Sequence, residues 1–190
     1  MQLVQILATK INPTHFGCSG GGIVWFDENG QQDENSIYKT PENLAIVSDV
    51  IANYAIYEAE YNLVLSKQEK IAEIVALSET KNTITYNGTE WPCDDLAQQN
   101  VSYRSSYAAL SQTVPEAFPW TGIYTKWIDP TGSSVTFATA LDFLIFAKAI
   151  SDYCNLVFAR TNELKVIVNS STMEQINALD ITVGWPSSIY

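Results

Sequence analysis

The longest regular pattern of apolar and polar residues in the sequence begins at Thr40. Thr40 is suited to be a helix N-cap, Pro41 stands at the first helical position, and Glu42 complements the positive end of the helix dipole. No glycine or proline follows until well beyond Ser78. The pattern therefore predicts one long helix of up to roughly ten turns, from residue 40 to about Ser78.

One stripe of residues recurs along this helix at alternating steps of three and four. Its members are Val47, Val50, Tyr54, Tyr57, Tyr61, Val64, Gln68, Ile71 and Val75. A seven-residue repeat places such a stripe against a partner helix, so we predict the seam of a homo-oligomer, with a parallel trimer favoured. Because several leucine and isoleucine residues lie off the stripe, the alternative is a long amphipathic helix packed on its own domain.

The first 39 residues show no helical period. Gln2–Ile11 and Gly20–Phe26 are predicted as strands or extended arms, and the stretch between them is rich in helix breakers. A segment with few ways to bury itself often docks on another chain, so residues 1–39 are expected to be an extended attachment region. A small self-contained β unit is the alternative.

Shorter elements follow the long helix. Thr83–Tyr86 is predicted as a strand that ends at the turn dipeptide Asn87–Gly88, and Asp94 or Asp95 then opens a helix that Pro115 closes. The apolar stripe of that helix is predicted to consist of Leu96, Tyr103, Tyr107 and Leu110. An apolar stripe normally faces the core of a domain.

A hairpin and a second long helix are predicted next. Residues 123–128 and 134–137 flank residues 129–132, where Pro and Gly occupy turn positions. The helix is predicted from near Thr136 to about Val168. Since it is apolar on most sides, we expect it to be the buried centre of the domain.

The chain then reaches a last short helix. The Ser171–Glu174 segment has the spacing of a capping box, and the helix is predicted to end near Asp180. Together the patterns predict a helix-dominated α+β protein in three regions: an extended or β region over 1–39, a long helix over 40–81, and a small globular domain over 82–190.

Several segments of the second half form a recognisable series. In chain order they are Ile84–Trp91, Trp127–Asp129, Ser134–Phe137, the helix that carries Ala147–Tyr153, and Thr172–Asp180. Through this series, residues 82–185 resemble a family of unknown function found in the tail-fibre and tail-associated proteins of tailed phages. The resemblance implies a role in the virion and supplies no catalytic residues.

The charge of the chain bears on nucleic-acid binding, and its cysteines bear on disulfide formation. The formal net charge is -11, from 21 acidic and 10 basic residues, and no Lys/Arg cluster reverses it locally. Nucleic-acid binding is therefore not expected. Cys18, Cys93 and Cys154 are widely spaced and odd in number, which favours reduced thiols, buried as small hydrophobes.

Membrane insertion is not expected either. The most apolar window, residues 135–150, is interrupted by Asp142 and Lys148 and is too short to span a bilayer. The N-terminal residues lack the basic start and the cleavage site of a signal peptide.

Candidate catalytic or metal-binding groups are few. His15, the only histidine, precedes Cys18 in a loop rich in Pro and Gly, which makes neither a catalytic dyad nor a zinc site. Gly20–Gly22 lacks the context of a phosphate-binding loop. The segment from Asp27 to Asn35 resembles part of a calcium loop, but the EF-hand spacing fails. No enzyme activity, cofactor or metal is expected.

The resemblance therefore implies a structural component of a phage tail, a fibre or baseplate-associated protein that joins or extends tail parts as an oligomer. Its expected partners are copies of itself and other tail or baseplate proteins. Its expected location is the virion tail, after synthesis in the host cytoplasm. Two alternatives stay open: a host-receptor module that binds a surface glycan through exposed aromatic residues, and a tail-fibre assembly chaperone absent from the mature particle.

Overall fold

The computed structural model describes residues 2–19, 22–128, 132 and 134–189. Over these residues the protein is helix-dominated and carries small antiparallel hairpins, which confirms the predicted α+β class. The chain forms two compact units, Met1–Gln68 and Glu69–Tyr190. The boundary between the units falls within the long helical segment that the sequence predicts.

The first unit begins with a helix, α1, at Gln2–Ala8. The prediction of a strand or extended arm over Gln2–Ile11 is wrong. Ile6 and Leu7 are buried within the helix, and Ile11 is buried just beyond it. Burial of these side chains in the core of the unit stabilises a segment that is too short to be helical alone.

A hairpin follows α1. Strand β1, Phe16–Ser19, pairs antiparallel with β2, Gly22–Trp25, and places Phe16 opposite Trp25. Strand β2 lies within the predicted strand Gly20–Phe26, of which residues 20 and 21 lie outside the described residues. Strand β1 occupies the stretch that the sequence suggested was only a connection.

The long helical segment consists of two helices, α2 at Pro41–Ala52 and α3 at Tyr54–Glu79. The predicted cap is confirmed, since the Thr40 hydroxyl oxygen accepts a hydrogen bond from the Asn43 N–H at 3.2 Å. The prediction of a single helix is wrong at Asn53, which separates the two helices.

The first unit has a core of its own. Its buried residues come from the N-terminal elements and from α2: Ile6, Leu7, Ile11, Phe16, Trp25, Val47 and Val50. The expectation that residues 1–39 cannot bury themselves is therefore wrong. The apolar face of α2 supplies the surface that α1 and the hairpin need, and the region is not an extended arm.

The second unit opens with a hairpin of β3, Thr83–Tyr86, and β4, Thr89–Pro92. The predicted strand and turn are confirmed. Asn87 and Gly88 have φ angles of 49° and 77°, the left-handed conformation that both central residues of a type I′ turn require.

Helix α4, Asp95–Thr113, follows the hairpin. Its N-cap is Asp94, the first of the two predicted positions, because the carboxylate accepts a hydrogen bond from the Ala97 N–H at 2.8 Å. A 3₁₀ turn at Gly122–Thr125 leads into the predicted hairpin of β5, Lys126–Ile128, and β6, Ser134–Thr136. Residues 129–131 and 133 of its turn lie outside the described residues.

Helix α5, Ala140–Ser170, begins later than the predicted start near Thr136. Thr136 is instead paired with Lys126 in the hairpin. Thr139 is the cap, and its side chain and that of Asp142 each accept a hydrogen bond from the other residue's N–H, at 3.1 and 2.9 Å.

Helix α6, Met173–Ala178, is shorter than predicted, and its capping box is shifted by one residue. Thr172 and Gln175 form this box, in place of Ser171 and Glu174. The Thr172 N–H donates to the Gln175 side chain at 2.9 Å, and the Gln175 N–H donates to the Thr172 hydroxyl at 3.4 Å.

An aromatic cluster forms the centre of the second unit. Phe143 and Phe146 of α5 are fully buried and contact Trp91 and Trp127 from the hairpins. The prediction that α5 is the centre is confirmed on this side. Its other side is open: Leu141, Ile145, Leu156, Phe158 and Val166 are exposed. No described helix is both long enough and apolar enough to cross a membrane.

Candidate functional site

The predicted oligomer seam divides into a covered part and an open part. Val47 and Val50 lie in the core of the first unit, with three half-buried residues packed against it: Tyr54, Tyr57 and Tyr61. Val64 and Gln68 are exposed, whereas Ile71 and Val75 are half-buried. Over Val47–Tyr61 the stripe contacts its own chain, as the alternative interpretation expects. The oligomer seam stays a prediction around Val64 and Gln68.

Helix α4 turns a different face toward the core from the one predicted. Its buried residues are Ala97, Val101, Ala108 and Ser111. The predicted stripe lies outward, with Leu96, Tyr103 and Leu110 exposed and Tyr107 half-buried. The physical reason is that α4 packs along α5, where small side chains leave room for the large rings of α5.

The outward side of α4 continues onto the β5–β6 hairpin and forms an exposed apolar surface. We call it the α4–hairpin face and define it by Leu96, Tyr103, Ile123 and Ile128, which are between 64 and 75% exposed. Two adjoining cavities lie along it, with volumes of about 220 and 450 Å³. They share Asn100, Trp127 and Ile128 in their walls, so the surface is continuous from Leu96 to Tyr103.

A basic group lies beside this face. The Arg104 guanidinium donates a hydrogen bond to the carbonyl of Lys126 and lies over the Trp127 ring, 5.1 Å from its centroid. Burial lowers the pKa of Arg104 from its ordinary value, yet the group stays charged at neutral pH because that value is so high. With the exposed Lys126, the face carries two of the chain's ten basic residues.

Most of the aromatic residues of the second unit that are considered as glycan contacts are buried, stacked or hydrogen-bonded within the fold. The Tyr107 ring stacks on Tyr124 with centroids 3.6 Å apart, and its hydroxyl donates to the Pro119 carbonyl at 3.0 Å. Trp120 donates its indole N–H to the Phe137 carbonyl at 3.0 Å. Trp91 and Trp127 are buried, and Trp185 and Trp120 are half-buried. Tyr103 is the large exposed ring that the face offers.

His15 has a structural partner in the first unit, whereas the expectation that Cys18 is buried is wrong. The His15 ring stacks on Tyr38, with centroids 3.5 Å apart and planes 3° apart, while Cys18 is exposed on β1. Sequence reasoning did not find this ring pair, because the two residues are far apart in the chain.

The segment from Asp27 to Asn35, which resembles part of a calcium loop, forms turns. The Asp27 carboxylate accepts hydrogen bonds from the N–H groups of Gln31, at 2.7 Å, and Asn29, at 2.9 Å. These bonds, the one from Gln31 most of all, lower the pKa of Asp27. Across the described parts of the chain, no three His, Cys, Asp or Glu side chains are grouped so that they could hold a metal ion.

Comparison with known proteins gives one match. A family model described as a domain of unknown function, DUF4376, matches residues 66–183. The matched segment begins just before the second compact unit and contains the whole α4–hairpin face. It confirms the predicted resemblance to a family of unknown function and extends it toward the N-terminus. No curated protein and no solved structure matches the chain.

Proposed function

We propose that this chain, which belongs to the DUF4376 family of domains of unknown function, is a non-enzymatic structural component of a phage tail. It joins or extends parts of a fibre or baseplate through contacts with other tail proteins and with its own copies. The observation that carries the proposal is the α4–hairpin face. Large apolar residues that lie together on a surface mark a site of protein interaction.

The composition of the face favours a protein as its partner. Protein interfaces are enriched in tyrosine, tryptophan and arginine at their centres, and these residues often dominate the binding energy. Here Tyr103 is exposed, and it lines the same cavity of about 450 Å³ as Arg104. Leu96 of α4 and Ile128 of β5 extend the apolar surface along the adjoining cavity. A partner that covers them would remove most of this apolar surface from water.

The assignment to a phage tail has separate support. It rests on the resemblance of the segments from Ile84–Trp91 to Thr172–Asp180 to tail-fibre and tail-associated proteins. All of these segments lie within the family match over 66–183. The α4–hairpin face supports the proposal that the protein binds other proteins. The resemblance supports the proposal that it does so in a phage tail.

Mass spectrometry of purified particles tests the proposal directly. A structural component is present in tails at a fixed ratio to the other tail proteins, and it stays there through density-gradient purification. A tail-fibre assembly chaperone is present in infected cells and absent from the particles. Absence from particles would therefore reject the structural role and favour the chaperone.

A host-receptor module that binds a glycan is the second candidate, and one observation favours it. The cavity of about 450 Å³ is lined by the exposed Tyr103 ring, the Asn100 amide and the Arg104 guanidinium. A flat ring beside hydrogen-bond donors suits a sugar. Purified protein that binds host surface polysaccharide, with binding lost in Tyr103→Ala and kept in Tyr103→Phe, would establish this function.

A further inference from the structure

Two cysteines meet in the second unit, although they are far apart in the sequence. Cys93 follows strand β4 and is buried, while Cys154 is half-buried in the middle of α5. The Cys154 thiol donates a hydrogen bond to the Cys93 carbonyl, with 3.7 Å between sulfur and oxygen. Both residues line one cavity of about 320 Å³, bounded by the last turns of α3, the first turn of α4 and one side of α5.

We propose that Cys93 and Cys154 form a modification site, a reversible disulfide that small thiol oxidants reach through this cavity. The third cysteine, Cys18, lies on the exposed surface of β1 and has no part in the site. The inference goes beyond the proposed function, and the chemistry of the bridge does not depend on it.

The surroundings of the two sulfurs give them different roles. A hydrogen bond between the side chains lowers the pKa of Cys154, and the same bond, together with burial, raises the pKa of Cys93. The thiolate is the reactive form of cysteine. Cys154, which is also the more accessible of the two, is therefore the attacking sulfur, and Cys93 is the resolving one.

Oxidised glutathione serves as the oxidant in the balanced reaction. The Cys154 thiolate attacks one sulfur of the glutathione disulfide, a mixed disulfide forms, and one glutathione thiolate leaves. Cys93 then gives up its proton and attacks the Cys154 sulfur, and the second glutathione thiolate leaves. The two protein thiols lose two electrons, one glutathione disulfide becomes two glutathione molecules, and the two protons end on these.

The bridge would tie the end of the β3–β4 hairpin to the middle of α5. It closes a long loop that contains all of α4 and the β5–β6 hairpin, and a cross-link of this kind restricts the unfolded chain. On the proposed function, the thiols of this tail protein stay reduced in the host cytoplasm and meet an oxidising medium only after release.

The test uses the full-length protein, reduced and then incubated with oxidised glutathione. In Cys18→Ser, which lacks the exposed thiol that would itself take up glutathione, we expect the intact mass to fall by about 2 Da and peptide mapping to find Cys93 joined to Cys154. We also expect a thermal midpoint raised by roughly 5–15 °C over the reduced protein. Unsubstituted protein should form the same bridge, whereas Cys93→Ala should stop at a glutathione adduct on Cys154.

Two results would overturn the proposal: both thiols remaining free, or unsubstituted protein that accumulates the adduct on Cys154 while Cys93 stays a thiol. The peptide map of the unsubstituted protein decides this even if Cys93→Ala does not fold. A second arm compares the thiols in alkylated infected cells with those in purified particles. Absence of the chain from particles would reject the proposed function and leave the result with purified protein intact.

Discussion

Leu96 and Ala97 are neighbours in α4 but have opposite environments, with the leucine 65% exposed and the alanine 7% exposed. Successive residues of a helix are rotated by about 100° around its axis. One face of α4 therefore contacts α5 while the next presents its leucine and tyrosine side chains outward. The outward side chains of α4 can therefore be changed without changing the side chains that pack against α5.

Replacing Leu96 and Ile128 by serine should leave the free energy of unfolding within about 0.5 kcal/mol of the original, because neither side chain is buried. Incorporation into particles should fall strongly, since the partner loses its apolar contact. Ala108→Asp, at a fully buried position of the same helix, places a charge in the core and should destabilise the unit by several kcal/mol. Leu141→Ser is the control, since Leu141 is exposed on α5 and lines neither cavity of the face. Normal incorporation of the double variant would show that the α4–hairpin face is not needed for assembly.

Charged substitutions in α2 and α3 distinguish residues that stabilise the first unit from residues that hold an oligomer together. Val50 is fully buried in the first unit, so Val50→Asp should unfold this unit at a cost of several kcal/mol. Val64 is 52% exposed, so Val64→Asp should preserve stability and dissociate an oligomer if the seam exists. Light scattering with denaturant unfolding distinguishes the two effects. Unsubstituted protein that is monomeric at tens of micromolar would argue against the seam.

Removing residues 1–36 should damage the first unit rather than free an independent helix. The deletion takes away the side chains of α1 and the first hairpin that cover Val47 and Val50. Exposed apolar surface of this kind promotes aggregation. We expect a poorly soluble product in which hydrogen exchange of α2 is fast, while the second unit keeps its protection. A soluble product with a slowly exchanging α2 would contradict the core described for this unit.

The turn at Asp27 should give the first unit a dependence on acid pH. The pKa of Asp27 is lowered in the folded protein, chiefly by the Gln31 N–H. A depressed pKa adds stability above the unfolded value of about 3.9, and that stability is lost as the pH falls through the folded value. The difference in thermal midpoint between the original protein and Asp27→Asn should therefore be present near neutral pH and vanish in strong acid. A difference that persists unchanged in strong acid would show that ionisation of Asp27 does not cause it.

Several elements of the fold can be predicted from short segments of the sequence alone. Thr40 and Asp94 act as caps where they were predicted, and Asn87–Gly88 forms its turn. In each case the determining interaction is a hydrogen bond or a backbone preference within a few residues. Such interactions are visible in the sequence because both partners lie in the same short segment.

Contacts between distant segments explain the errors. Gln2–Ala8 is helical because Ile6 and Leu7 pack in a core that α2 completes, and nothing within the segment indicates that core. The prediction of the buried side of α4 is wrong because it follows the largest apolar residues. The side chains that are buried are smaller, and they include Ala97, Val101 and Ala108. Those three residues recur at helical spacing, which was the available signal for a close contact with another helix.

The small buried residues of α4 set limits on how the sequence of this unit can change. At Val101 and Ala108, which lie in the buried core cluster with Phe143 and Phe146, a larger side chain would force α4 away from α5, and overpacking of this kind costs about 1–3 kcal/mol. Leu96 and Tyr103 have no such limit from the fold itself. In a library of variants selected only for folding, the first two positions should accept few residues and the second two many. Selection for assembled particles should also reduce the number of residue types accepted at the second pair. The positions that respond in this way would map the contact surface without any knowledge of the partner.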